Sequence, residues 1–249
     1  MSFLFLDEPA APALSDYLPL LLQGVPVTLE ATFVSMVLVV ASGFAFGLGR
    51  SSKTRFLRLP AGFAVEVLRG SSAIAQLFWA FYVLPYFGVE LAPFVAGVAV
   101  LGLNGGAYFS EVVRAAFASV PKGQTEAAIA LNLSAWFRLR RIILPQALPL
   151  MVPPFGNALI DMLKFTALLS LVTIQELAYR ADAIRSVLAE AGPVYGIALL
   201  LYFAMSLSFA AIVQQLERLA NRWAGRPDSR TRGQRARTSA VPRWAFPGR

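Results

Sequence analysis

The chain has 249 residues, 57% of them hydrophobic and only 14% charged, with 22 Lys and Arg against 14 Asp and Glu. A soluble domain of this length carries about 25% charged residues, so this composition, with a mean hydropathy of +0.62, excludes an ordinary water-soluble globule. The chain contains no Cys and no His, which removes disulfides, thiolate or imidazole metal sites and the commonest general base.

Five runs without an ionisable side chain, at 31–49, 70–89, 91–110, 142–160 and 191–216, each reach 19 residues or more. Roughly 20 apolar helical residues cross the hydrocarbon of a bilayer. The runs are continuously apolar rather than alternating, which argues against a β-barrel. The expected fold class is therefore all-α integral membrane protein, with five transmembrane helices at about 24–49, 62–86, 91–114, 147–172 and 192–216.

The chain begins with 1–16, which holds Asp7, Glu8 and Asp16 but no base. Without a positive n-region it reads as an extracytoplasmic N-terminal segment and not as a cleaved signal peptide. The membrane-embedded body is expected over 17–224. After span one come Arg50, Lys53, Arg55 and Arg58 with no acid, while the connection at 85–92 has Glu90 and no base. After span three come Arg114, Lys122, Arg138, Arg140 and Arg141. After span four the acids Glu176, Asp182 and Glu190 outnumber Arg180 and Arg185. The end of the chain carries nine arginines from Arg218 to Arg249. Basic and non-basic connections alternate, so the positive-inside rule places the N-terminus outside and the C-terminus in the cytoplasm, as an odd number of spans requires. The net charge of +8 is thus a topology signal rather than a nucleic-acid footprint. The stretch 225–249, rich in Arg, Pro and Ser, reads as a disordered basic cytoplasmic tail suited to anionic lipid heads.

Within the spans, ionisable and amide side chains are costly and mark function. Span three carries Asn104, Tyr108 and Glu111 at i, i+4, i+7, and span four carries Asn157, Asp161 and Lys164 at the same spacing. Each set occupies one helical face, and together they read as a candidate substrate pathway. The carboxylates would hold a cationic amine or amidinium and Lys164 a carboxylate, which suits a zwitterion. The alternative is structural: Asp161 and Lys164 neutralise each other and Asn104 bridges helices. Glu66 and Arg69 read as an i, i+3 ion pair. Gly43 and Gly47 form a G-x-x-x-G that permits close helix packing, and Trp79, Tyr82 and Tyr86 suit an interfacial belt.

The segment 120–146 is expected to form a helix, a turn and a second helix. Thr125 is the expected cap of the first, Asn132 the left-handed turn residue, Ser134 the cap of the second, and Pro145 its end. Its small residues Ala127, Ala128 and Ala130 let another surface approach closely. Two readings stay open on physics alone: docking into a groove of a soluble partner, or an amphipathic helix on the membrane surface.

Glu126, Ala127 and Ala128, the turn at Asn132, and Ile143, Leu144 and Pro145 resemble the EAA loop of ABC-importer permeases, E-A-A-x-x-x-G followed about nine residues later by I-x-L-P. The flanks resemble the polar amino-acid permease family: GVPVTLE at 24–30, LRGSS at 68–72, NGGAYFSEVVR at 104–114, VPKGQ at 120–124, LPQA at 144–147, PPFGN at 153–157 and LKFTAL at 163–168. The similarity spans 17–222. Two departures stand out: Asn132 in place of the usual glycine, and Ser71 with Ser72 in place of a common Thr-Pro. QLFW at 76–79, VLP at 83–85 and LNLS at 131–134 are similar to the ectoine/hydroxyectoine branch.

The resemblance implies a type I ABC importer permease fold with a cytoplasmic coupling helix. It assigns ATPase coupling to Glu126, Ala127, Ala128 and Asn132. It implies as partners a cytoplasmic ABC ATPase, an extracytoplasmic solute-binding protein and a second permease subunit, identical or similar, in the bacterial inner membrane. No G-x-x-x-x-G-K-[ST] phosphate loop occurs, since 43–49 lacks the Lys-Ser/Thr pair. The chain is therefore expected to be no enzyme and to carry no cofactor. A secondary transporter or channel needing no ATPase is the competing class, disfavoured because the 120–146 loop would have no purpose; a membrane-embedded enzyme lacks any nucleophile–base pair.

Overall fold

The computed structural model describes residues 14–189 and 191–223. The expected tail at 225–249 and nearly all of the N-terminal segment at 1–16 lie outside the described residues. Helices α1 (Leu14–Leu22), α2 (Gly24–Ser51), α3 (Arg55–Gly70), α4 (Ala73–Phe78), α5 (Pro93–Ala118), α6 (Lys122–Ala130), α7 (Ala135–Arg138), α8 (Leu144–Phe165), α9 (Leu177–Leu188) and α10 (Ala191–Trp223) follow one another, with no strand among the described residues. Stretches at 16–51, 93–118, 135–172 and 191–220 are long and apolar enough to cross a bilayer.

The fifth expected span departs from a rod. Helix α3 and the stretch 73–87 are bent by 106° at Ser71 and Ser72, so a fifth crossing exists only if this pair is one broken span. Ser71 and Ser72 are both extended, with ψ of 155° and 134°. Helix α4 then widens into a π turn at Trp79–Val83 and tightens into a 3₁₀ turn at Leu84–Phe87. Continuous hydropathy across 62–86 concealed this, because apolarity reports solvent and not backbone direction.

Helix α9 was not expected. It lies in the connection at 173–190, where charge was the only feature read from the sequence. Its inner face, Leu177, Ala181 and Ile184, is buried with Leu21 of α1 and with Val194 and Ala198 of α10. That i, i+4, i+7 spacing is the ordinary helical stripe, too short to register as a span.

Contacts divide the chain into two compact units, one holding everything up to Ala115 with Asn157–Phe209, the other Ala116–Gly156 and everything from Ala210 onward. In the first unit, α2 packs closely on α5 through its glycines. A Cβ at Gly43 would come within 2.8 Å of the Phe109 ring, and one at Gly47 within 2.9 Å of Val113. The G-x-x-x-G therefore sits in a helix seam. In the second unit, Gly156 of α8 lies against Val213 of α10.

Candidate functional site

The second unit contains the expected elbow. Helix α6 starts one turn earlier than Thr125, at Lys122 behind Pro121, and has no side-chain cap. Thr125 is thus an interior residue: Pro121 already fixes an extended entry, and Pro at this boundary lacks the N–H that a helix start leaves unpaired. At the other end Asn132 takes φ 54°. The Leu133 amide donates to the Ala128 carbonyl at 3.0 Å and the Asn132 amide to that of Ile129 at 2.8 Å. This pair of reversed bonds satisfies the orphan carbonyls of α6. Asparagine substitutes for glycine here because its short polar side chain tolerates the left-handed region.

Ser134 caps α7, accepting from the Phe137 amide at 3.3 Å. Pro145 does not end the second helix. The backbone widens to a π turn over Leu139–Ile143 and enters α8, so the helical path runs from Ala135 to Val172. The wide turn precedes the ring and absorbs the bond that proline cannot donate. Ala128 is buried, whereas Glu126, Ala127, Ile129, Leu131, Trp136 and Phe137 are exposed. The elbow thus presents a carboxylate among uncovered apolar side chains.

In the first unit, the α5 stripe closes around the break between α3 and α4. Asn104 Nδ2 donates to the Leu68 carbonyl at 2.8 Å and to Gln76 Oε1 at 3.3 Å. Gln76 Nε2 donates to the same Leu68 carbonyl and to Ser71 Oγ, each at 2.8 Å. The broken helix leaves carbonyls without intrahelical partners, and these two amides supply them. Arg69 lies over the Tyr108 ring, 5.2 Å from its centroid.

Glu111 is surrounded by guanidinium groups. Its Oε1 accepts from Arg50 at 2.5 Å and Arg69 at 3.1 Å, and its Oε2 from Arg114 at 3.0 Å. The expected Glu66–Arg69 pair does not form: Glu66 stands 3.8 Å from Arg50 instead. Arg69 is drawn to the half-buried Glu111, where its charge is less screened than beside the exposed Glu66. Three guanidiniums face two carboxylates, and Arg69 Nε is buried without a hydrogen-bond partner.

The α8 stripe is more open. Asn157, Asp161 and Lys164 are all exposed, and Lys164 Nζ is 3.8 Å from Asp161 Oδ1. No polar contact among the described residues joins this stripe to the one on α5.

One buried polar node carried no sequence signal. Glu176 is fully buried and caps α9 by accepting from the Tyr179 amide at 2.8 Å. Its Oε2 accepts from the Tyr202 hydroxyl at 2.5 Å and from Thr28 at 3.4 Å. Thr28 Oγ1 also accepts from the Leu177 amide at 3.1 Å. Burial pushes the Glu176 carboxyl above its ordinary 4.5, against the opposing pull of the Tyr202 hydroxyl, the Ala178 and Tyr179 amides and Thr28. Gly24 permits the approach, since a Cβ there would lie 2.7 Å from the Leu177 Cα. The GVPVTLE at 24–30 contains both Gly24 and Thr28, but nothing in it names a partner 148 residues away.

Apolar helices of membrane-crossing length mark an all-α integral membrane protein, and the family profile and solved structure that match it make it one of the type I ABC importer permease kind. Specifically, the chain belongs to the family of binding-protein-dependent transport system inner membrane components, whose sequence profile matches residues 21–222. It is 41% identical over 216 residues to the probable amino-acid ABC transporter permease protein y4tF of Sinorhizobium fredii, covering 84% of this chain and 91% of that one. It is 36% identical over 211 residues to the L-cystine transport system permease protein TcyB of Bacillus subtilis, covering 82% and 89%. Among solved structures, a chain of an amino acid ABC transporter crystallised with histidines superposes with a TM-score of 0.75 at 34% identity, covering 82% of this chain and 95% of that one.

Proposed function

We propose that this chain is the membrane passage of an importer for a polar amino acid or an amino-acid-like compatible solute, driven by a separate cytoplasmic ATPase. The observation that carries this reading is the elbow at 122–138, whose exposed Glu126, Ala127, Ile129, Leu131 and Trp136 stand on a chain that has no phosphate-binding loop. Such a surface suits the groove of a soluble partner, and Asn132 fixes the angle at which it is offered. The charge alternation supports an elbow on the cytoplasmic side.

The zwitterionic character of the solute is supported by the two polar stripes. Asp161 and Lys164 are exposed and close enough to exchange each other for an ammonium and a carboxylate. Glu111 is occupied by Arg50, Arg69 and Arg114, so its part is to hold these guanidiniums in place. Their surplus positive charge suits the carboxylate end. A binding protein delivers the solute, and a second permease subunit completes the passage. The motifs at 76–79, 83–85 and 131–134 favour ectoine or hydroxyectoine as the solute; the named relatives favour an amino acid or cystine.

The test is co-reconstitution with the ATPase and binding protein, scoring which of ectoine, glutamine, cystine, arginine or histidine stimulates ATP hydrolysis. Asp161→Asn is expected to abolish uptake with the complex still assembled. Undiminished uptake in that variant removes the α8 stripe from the passage.

A further inference from the structure

Helix α3 has a face that the protein leaves bare. Phe56, Leu59, Phe63 and Val67 are 84%, 65%, 73% and 49% exposed. At 100° per residue they fall within an arc of about 80° on one side of the helix. The opposite side is already used: Val65 is fully buried, and a Cβ at Gly49 of α2 would come within 2.9 Å of Ala61. Between the two apolar arcs runs a polar edge made of Arg55, Arg58, Glu66 and Arg69. Arg69 is committed to Glu111 and Glu66 lies 3.8 Å from Arg50. Lys53, Arg55 and Arg58 are exposed, and their side chains form no ion pair or hydrogen bond among the described residues.

The bend decides which half enters hydrocarbon. Residues 73–87 contain no ionisable side chain other than tyrosine, whereas α3 is edged with charge. The two halves meet at 106°, slightly more than a right angle. When 73–87 runs along the bilayer normal, α3 must lie close to the membrane plane. A helix in that position, with one apolar arc and a basic flank, is the interfacial amphipathic type. Free cationic side chains beside an apolar arc match anionic phospholipid in both chemistry and depth.

We propose that α3 is an anionic-lipid site. Phe56, Leu59, Phe63 and Val67 rest in the boundary between headgroups and acyl chains, and Lys53, Arg55 and Arg58 hold phosphate-bearing anionic headgroups. This goes beyond the transport reading and holds whatever solute the chain carries.

The absence of native cysteine allows one reporter thiol at a time. Phe56→Cys and Phe63→Cys, each carrying an environment-sensitive fluorophore, are placed in the assembled transporter in vesicles of phosphatidylcholine with or without phosphatidylglycerol. Brominated phosphatidylglycerol is expected to quench both labels roughly severalfold more than brominated phosphatidylcholine, with bromine near the headgroup more effective than bromine near the chain end. Lys53→Gln, Arg55→Gln and Arg58→Gln together should bring the two lipids to equal quenching. Raising salt on the fully basic chain should do the same, which keeps the test decisive if the triple variant fails to assemble. Equal quenching by both lipids at low salt overturns the proposal, as does strongest quenching from the chain end. A disulfide joining two unlabelled Phe56→Cys chains overturns it in favour of a second copy of the permease.

Discussion

Replacing Glu176 by Ala tests the buried node that ties α2, α9 and α10 together. The substitution removes the cap on the Tyr179 amide and the acceptor of the Tyr202 hydroxyl. Loss of a cap costs about 1 kcal/mol, and a buried hydroxyl left without a partner about 1–3 kcal/mol. Thr28 loses less, because its hydroxyl can still donate to the Gly24 carbonyl at 3.0 Å. Relief from burying an acidic group offsets part of the sum, leaving a destabilisation of about 1–3 kcal/mol. For a domain of 150–250 residues that corresponds to a drop of roughly 2–12 °C in Tm. Glu176→Gln keeps the acceptor for Tyr179, and its amide can donate to the Tyr202 and Thr28 oxygens, so it should stay within about 1 kcal/mol of the parent.

The pH dependence has a definite sign. The folded carboxyl binds its proton more tightly than the unfolded one, because burial raises its pKa above 4.5. The folded state therefore holds more protons between the two values, and stability falls as pH rises through that window, levelling off above the folded pKa. The Gln variant should lack this component. Thermal unfolding of the purified chain with its ATPase, across a pH series for Glu, Gln and Ala at 176, reads all of these effects. Equal Tm for the Ala and Gln variants would refute the assigned hydrogen-bond roles.

The remaining predictions concern backbone and packing. Asn132→Gly should leave coupling and stability nearly unchanged, whereas Asn132→Val, forced to φ 54°, should cost about 1–3 kcal/mol and lower solute-stimulated ATP hydrolysis. Gly47→Leu should separate α2 from α5 and cost about 1–3 kcal/mol or more, seen as loss of folded yield in detergent. Asn104→Leu should cost about 1–2 kcal/mol, with Gln76→Leu adding more than its own single effect because the two amides share the Leu68 carbonyl; double-mutant thermal unfolding checks this.

Periodicity and charge made much of the helix inventory legible. Residues 24–49, 91–114 and 192–216 announced themselves because lipid demands long apolar runs, and local chemistry at Asn132 and Ser134 named the elbow's turn and second cap. Direction was not legible. Ser71 and Ser72 carry no strong breaker signal, yet the chain turns there by 106°, held by Asn104 and Gln76 from elsewhere. Pro145 was legible as a breaker but not as one that a preceding π turn can absorb. Glu111 was visible as an ionisable residue at membrane depth, and Arg114 stands at i+3 on the same helix, but Arg50 and Arg69 come from α2 and α3, and no one-dimensional spacing pairs them with it. Glu176 was hidden for the same reason: its donors at 28 and 202 meet it only in the folded chain.

The proposed role of the elbow as the receiver of force is tested most directly by measuring solute uptake into proteoliposomes that contain the chain, the proposed ATPase and the solute-loaded binding protein, with Ala127→Trp as the altered elbow. Uptake against a gradient should require ATP on the ATPase side, and the bulky indole should uncouple it by preventing close approach of the ATPase while 191–223 and the other helices remain folded. Solute accumulation by the chain without any ATPase, or full ATP-driven uptake by the Ala127→Trp complex, would contradict the account.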